Sequence, residues 1–369
     1  MVDGPGADGP GGGRQQRLAD RLGRRSLNAW MLVPGPNLLY FTGLEALPSE
    51  RVFLCVQPAG AAPFAVVPQF ETGRVRGALG AEARVLGYRD ETGPEPALAR
   101  AFAPFGGRAA AFGAEFLGMR LLERTAVESA VPRARWHALD ADAAALRQVK
   151  DGAELAATRA AAAIAREAMA AGLAAVRPGA SEADVEAACQ AVLQAHRTSS
   201  PFPVMVASGP RSADPHSPTS GRLLAAGEVC WIDLGARVGG YCADITRTAV
   251  VGGEPEDAEL RRALAVVAAA QAAAIAAVRP GATAGAIDAA ARGAIASAGL
   301  GAYFTHRTGH GLGLSEHEPP YIVDGSAEPL QAGMVFTVEP GVYLPGRGGV
   351  RIEDDVLVGP GGAEVLTAG

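Results

Sequence analysis

Four acids and three histidines carry the chemistry of this sequence. Asp233 and Asp244 lie in VCWIDLGARVGGYCADITRTAVV, and Glu339 and Glu353 in MVFTVEPGVYLPGRGGVRIEDDVLV. Between the two segments, FTHRTGHGLGLSEHEPPY holds His306, His310 and His317, half of the chain's six histidines within twelve residues. Each acid alone would pass for a solvated strand residue or a salt-bridge partner. Together they form a pattern, because each segment reads as two strand-like runs around a Gly-containing loop, a β-hairpin with one acid in each arm. If Gly235 and Cys242 flank the first loop as partners, Asp233 faces Asp244 directly, on one face of the ribbon. Like charges side by side among Ile232, Leu234 and Ile245 ask for a cation. Imidazole with several carboxylates suits manganese, cobalt, iron or zinc, whereas calcium wants more oxygens and no imidazole. Four carboxylates and one imidazole exceed the needs of a single tetrahedral zinc, so two ions sharing bridging carboxylates are expected. Two such ions, roughly 3.5–4 Å apart, lower the pKa of a shared water towards neutrality, so that hydroxide attacks with no need of serine or cysteine.

The elements that must position these side chains repeat. AAVRPGAS at residues 174–181 returns as AAVRPGAT 102 residues later, and SEADVEAACQAVL aligns with TAGAIDAAARGAI behind it. The period is far too long for a solenoid repeat, so the spacing predicts a duplicated half-domain with two helices per half, each followed by an acid-bearing hairpin. Asp151 with Glu154 three residues on predicts the cap of a long alanine-rich helix running towards Leu173, and Ser181 and Thr283 predict caps for the second helix of each half.

Before this region the texture differs. Residues 1–13, MVDGPGADGPGGG, read as a disordered tail. A short charged helix is expected over 14–25, and WMLVPGPNLLYFTG alternates strand-like runs with Pro and Gly turns. Further apolar runs at 52–56, 64–67 and 109–112, mixed with helix candidates over 96–102 and 116–127, suggest an α/β unit over 14–145, leaving 146–369 as a second domain. His137, near the boundary, and His196, after the helix that starts at Ser181, read as surface residues. With 369 residues, 49% of them hydrophobic and 20% charged, the chain suits two globular domains. A net charge of −6 argues against nucleic acid as a partner. Four scattered cysteines without a CxxC pair fit a reducing compartment, so cytoplasm is expected. Neither a signal peptide nor a membrane span is expected, the longest apolar run being mostly alanine interrupted by Gln271.

The motifs IDLGA, ADITRT, GHGLG, VEPG and RIEDD resemble those of the pita-bread metallopeptidases, the family that includes methionine aminopeptidase, aminopeptidase P and prolidase. The resemblance is strong from about residue 150 onwards, and weaker in PGPNLLYFTG, which is similar to the opening of a creatinase-like N-terminal domain. It implies an α+β fold, a pita-bread catalytic domain with internal pseudo-two-fold duplication behind a smaller α/β creatinase-like domain. It also implies five metal ligands, Asp233, Asp244, His310, Glu339 and Glu353, holding two divalent ions, with manganese first and cobalt, zinc or iron as alternatives. His216, His306 and His317 fall where the family contacts the substrate carbonyl or the tetrahedral intermediate, and Arg351 and Tyr343 match further positions of the Xaa-Pro branch. Glu339 would carry the proton to the leaving nitrogen. The implied activity is hydrolysis of Xaa-Pro bonds at the N-terminus of short proline-containing peptides or dipeptides, in a homodimer. The resemblance leaves dipeptidase and aminopeptidase both open. Other relatives keep the fold as a protein-binding module or act on another small amide, but a chain that retains all five ligands points to an active enzyme.

Overall fold

In the computed structural model, which describes residues 12–368, the chain divides into two units, one ending at Arg147 and the other starting at Gln148. The tail expected over 1–13 lies outside the described residues as far as residue 11. Gly12 and Gly13 already belong to the first helix, α1 (Gly12–Leu22).

The first unit is built on β1 (Ala29–Leu32), β2 (Leu54–Pro58), β3 (Phe64–Pro68), β4 (Arg84–Tyr88), β5 (Ala110–Ala114) and β6 (Ala134–Ala138), in the order β4-β3-β2-β1-β5-β6. Its helices are α2 (Pro36–Thr42), α3 (Thr72–Leu79), α4 (Glu95–Phe102), α5 (Leu121–Ala130) and α6 (Asp140–Arg147). Phe64, Phe102, Phe105 and Phe112 meet edge to face at its centre. Two expectations need correction. NLLYFT is a helix and not a strand-like run, because Pro36 starts it with a preset φ and Gly43 ends it in the left-handed region. The helix expected from Phe116 starts at Leu121, because the Asp140 carboxylate accepts from the backbone N–H groups of Phe116 and Leu117 and holds that stretch in a turn. His137 is exposed on β6, and His196 is exposed beside Glu167, at 2.8 Å.

In the second unit each half starts with two helices, α7 (Gly152–Ala175) and α8 (Glu182–Ala195), then α9 (Ala258–Ala277) and α10 (Ala284–Ser297). The caps are Asp151 with Glu154, Ser181 and Thr283, each accepting from a first-turn N–H. Buried alanines at 161, 162, 165 and 168 of α7 and at 263, 270 and 274 of α9 let the helices lie close to their neighbours. Among the described residues, α9 alone is long and apolar enough to cross a membrane. Leu260, Ala263, Val267, Ala270 and Ala274 of this helix are buried in the core of its own half.

β7 (Met205–Ser208), β8 (Val229–Val238) and β9 (Tyr241–Val250) form one sheet. A second sheet runs β11-β10-β12-β15-β16, from β10 (Gly309–Gly311), β11 (Glu318–Ile322), β12 (Val335–Val338), β15 (Asp354–Gly359) and β16 (Gly362–Val365). β13 (Gly341–Leu344) and β14 (Gly348–Arg351) pair with each other. The β8–β9 hairpin closes through Gly239 and Gly240, both at positive φ as a two-residue primed turn requires. That turn is tighter than the loop expected from pairing Gly235 with Cys242. Asp244 therefore faces Gly235, and Asp233 faces Thr246. The two aspartates share a face as diagonal neighbours and are not directly opposed.

The second hairpin is interrupted. β12 pairs with β15 and β13 with β14 in one continuing register, which puts Glu339 across from Glu353. Pro340 has no N–H to donate to a ladder, and pairing stops at this pair of glutamates. Their backbone N–H groups bond elsewhere: Glu339 to the Thr308 carbonyl at 2.8 Å and Glu353 to the Thr246 carbonyl at 3.0 Å.

Candidate metal centre

These two diverted backbone bonds gather the site. Glu353 bridges to Thr246, on the strand of Asp244 and across from Asp233, and Glu339 bridges to the segment that carries the histidines. Asp233, Asp244, His310, Glu339 and Glu353 all line one cavity of about 410 Å³, together with His216, His306, His317, Tyr343 and Arg351.

The ligand atoms of Asp244, His310 and Glu353 lie within 4.8 Å of one another. His310 Nε2 is 3.9 Å from Asp244 Oδ2 and 3.3 Å from Glu339 Oε1. His310 Nδ1 lies 3.2 Å from the Gly311 carbonyl, which can only accept, so Nδ1 carries the hydrogen and Nε2 turns its lone pair towards the acids. Burial, then His317, pushes His310 down to about 3, which keeps the ring neutral. Asp233 Oδ2 accepts from Arg351 Nη2 at 2.5 Å.

The acids are poorly compensated by protein alone. Among the described residues, Asp233 Oδ1, Asp244 Oδ1 and Asp355 Oδ1 are buried without a hydrogen-bond partner. Burial, and then the charge on Glu353 and Asp233, holds Asp244 well above the usual carboxylate range, and burial followed by Glu339 and Asp233 does the same to Glu353. Buried acids crowded together with orphaned oxygens require protons or cations, and the neutral imidazole among them matches a divalent metal. The residues present therefore fit metal ions, with the five side chains as the donor set.

Around them runs a hydrogen-bonded chain. Arg351 Nη1 donates to the Tyr343 hydroxyl at 2.9 Å, and that hydroxyl lies 3.1 Å from His306 Nε2. His306 Nδ1 is 2.8 Å from the Arg307 carbonyl, so Nδ1 donates and Nε2 accepts from Tyr343. Burial pushes His306 down to about 4. Arg351 also stacks over Trp231, its guanidinium 4.8 Å from the ring. The His317 ring lies 4.0 Å from that of His310 and its Nδ1 3.3 Å from Glu316 Oε1, while His216 is exposed. Burial pushes Glu339 up to about 7, against the pull of Arg351 and of the Thr337 hydroxyl.

Several further residues stand at the site that the sequence motifs do not single out as candidates. Phe202, Met205, Arg307 and Glu316 line the cavity. Thr246 donates to Glu353 Oε2 at 2.6 Å and accepts from Arg351 Nε at 3.1 Å. Asp355 accepts from the Asp244 backbone N–H at 3.1 Å. A signal for Asp355 existed, since it stands two residues after Glu353 in an apolar strand.

Known proteins agree with this architecture. Residues 156–360 match metallopeptidase family M24, and residues 14–149 match the creatinase/prolidase N-terminal domain. The chain is 39% identical to the probable dipeptidase PepE of Mycobacterium bovis over 348 residues, 90% of this chain and 88% of that one. The crystal structure of a recombinant prolidase from Thermococcus sibiricus superposes with a TM-score of 0.90 at 31% identity, covering 98% of each chain. Dipeptidase PepE from Mycobacterium ulcerans superposes with a TM-score of 0.86 at 36% identity, covering 96% of this chain and 95% of that one. The chain belongs to metallopeptidase family M24, with a creatinase/prolidase-type N-terminal domain before its pita-bread peptidase domain.

Proposed function

We propose that this peptidase hydrolyses the Xaa-Pro bond of dipeptides, using two divalent ions held by Asp233, Asp244, His310, Glu339 and Glu353. The observation that carries the reading is the Asp244, His310 and Glu353 cluster with its unpartnered carboxylate oxygens, in a cavity that also holds all the other predicted site residues. The dipeptidase branch is favoured by the relatives named dipeptidase and prolidase, which match this chain over nearly its whole length. Manganese is the proposed metal, since carboxylate-rich sites with one imidazole accept it readily. The four cysteines, all unpaired and buried, support the cytoplasmic reading.

When bound, the ions supply an acidified water and polarise the peptide carbonyl. The chain's own residues do the rest. Glu339 accepts the proton of the attacking water on its carboxylate and delivers it to the proline nitrogen, which leaves only once protonated. His317 and His216 donate to the oxyanion that develops on the substrate carbonyl. Tyr343 and Arg351 fix His306 and Asp233 in place.

The test is hydrolysis of Gly-Pro beside Gly-Pro-Pro-Ala, with protein stripped by chelator and reloaded with manganese, cobalt or zinc. Cleavage confined to Gly-Pro is expected. Cleavage of the longer peptide would make the enzyme an aminopeptidase, and failure on both with every metal would overturn the peptidase reading.

A further inference from the structure

Thirty-two of the chain's 33 basic residues are arginine, and the single lysine, Lys150, is buried. Its Nζ donates to Glu318 Oε1 at 2.8 Å and to the Gln148 carbonyl at 3.3 Å. The side chains are 1% and 5% exposed, so the pair has given up nearly all its water. A buried ion pair costs more in desolvation than an apolar pair of the same shape, so stability alone does not account for it.

Its place in the fold suggests what it does. Lys150 is tied through its backbone to the start of β12, by its N–H to the Gly333 carbonyl at 2.9 Å and by the Val149–Met334 bridge. Glu318 opens β11 and directly follows His317. The intervening loop is pressed against both ends: a Cβ on Gly313 would meet Glu318 Oε1 at 2.7 Å, and one on Gly311 would meet the Pro319 carbonyl oxygen at 2.2 Å. The Gly313 carbonyl also accepts from the Cys242 N–H at 2.8 Å. His317 itself is half exposed, and its polar contact, Glu316, belongs to the same loop.

We infer that Lys150 and Glu318 are positioning residues: their buried ion pair clamps the loop and holds the His317 ring against the cavity. This inference rests on the proposed peptidase reading for its kinetic consequence, though not for its structural one. Misplacing a donor by about 1 Å costs on the order of 10- to 100-fold in turnover. The variants are Lys150→Met, Glu318→Gln and the apolar double variant Lys150→Met/Glu318→Leu, all in the full chain. In the metal-loaded enzyme each should lower kcat on Gly-Pro about 10- to 100-fold, with KM within about twofold, because the lost contact acts in the transition state. The double variant should regain the thermal stability lost by the single ones without regaining kcat. In metal-free, histidine-labelled protein, the His317 ring should give one sharp NMR signal in the parent chain and a broadened or doubled one in each variant.

Unchanged kcat with an unchanged ring signal would overturn the inference, and so would a double variant that restores stability, kcat and the ring signal together. If Lys150→Met does not fold, Glu318→Gln and the double variant decide. If the parent chain cleaves no peptide, the peptidase reading fails while the ring signals still decide whether the pair positions His317.

Discussion

The two halves of the peptidase unit start alike and end differently. α7 and α8 repeat as α9 and α10, with N-caps at matching places, yet the β8–β9 hairpin runs unbroken while the ribbon from β12 to β15 is interrupted at Glu339 and Glu353. The unbroken hairpin offers short aspartates from the middle of buried strands. The interrupted one offers longer glutamates from a gap, and their freed N–H groups reach Thr308 and Thr246. Duplication supplied the scaffold twice, and the gap in one copy lets the two copies join into a single centre.

The largest effect should come from removing one acid from each half. Asp244→Ala and Glu353→Ala are each expected to abolish hydrolysis and to lower bound metal below two ions per chain, measured by elemental analysis. Equal losses would confirm that the site needs both halves, and full activity in either would break the dinuclear reading. His317→Ala should keep its metal and lose about 10²- to 10³-fold in kcat, as for one oxyanion donor; loss of metal would make His317 a ligand instead.

A buried acid outside both halves sharpens the contrast. Glu115 in the first unit accepts from the Val33 N–H and the Asn37 amide, both at 2.8 Å, yet burial still raises it from 4.5 to about 7. Raised above its unfolded value, it stays protonated in the fold while the unfolded chain ionises. Stability from this group is therefore present below about pH 4.5 and is lost as pH rises to about 7, a span on the order of 3 kcal/mol. Glu115→Gln should flatten that part of the thermal stability profile against pH. Thr246→Val removes the hydroxyl shared by Glu353 and Arg351, and a loss of about 10- to 100-fold in metal affinity or activity is expected by metal titration and kinetics. The smallest effect is expected at the hairpin turn. Gly239→Ala places a Cβ at φ 56, costing about 1–2 kcal/mol and lowering the melting temperature by a few degrees, with the metal content unchanged.

Much of this was legible from residue order. The helix caps at Asp151, Ser181 and Thr283 could be read because a cap is decided within one turn of helix. The duplicated halves were visible as a repeated string, and the ten candidate site residues, read from a few short motifs, all line one cavity. The register of β8 with β9 was misread, since two glycines at positive φ make a tighter turn than their spacing alone reveals. The NLLYFT helix was misread because its boundary residues, Pro36 and Gly43, decide its state more than its apolar pattern does.

The sequence by itself determined the chemistry available to this protein: the acids, the histidines, the repeated helices and the turns that present them. These are local properties, set by residue type and by neighbours a few positions away. Only the tertiary structure decided how that chemistry was assembled, through Thr246 facing Glu353, Arg351 pairing with Asp233, and Lys150 reaching Glu318. Those partners are separated by more than a hundred residues of chain. Long-range packing and the need to satisfy every buried polar group select them, and no local pattern encodes that choice.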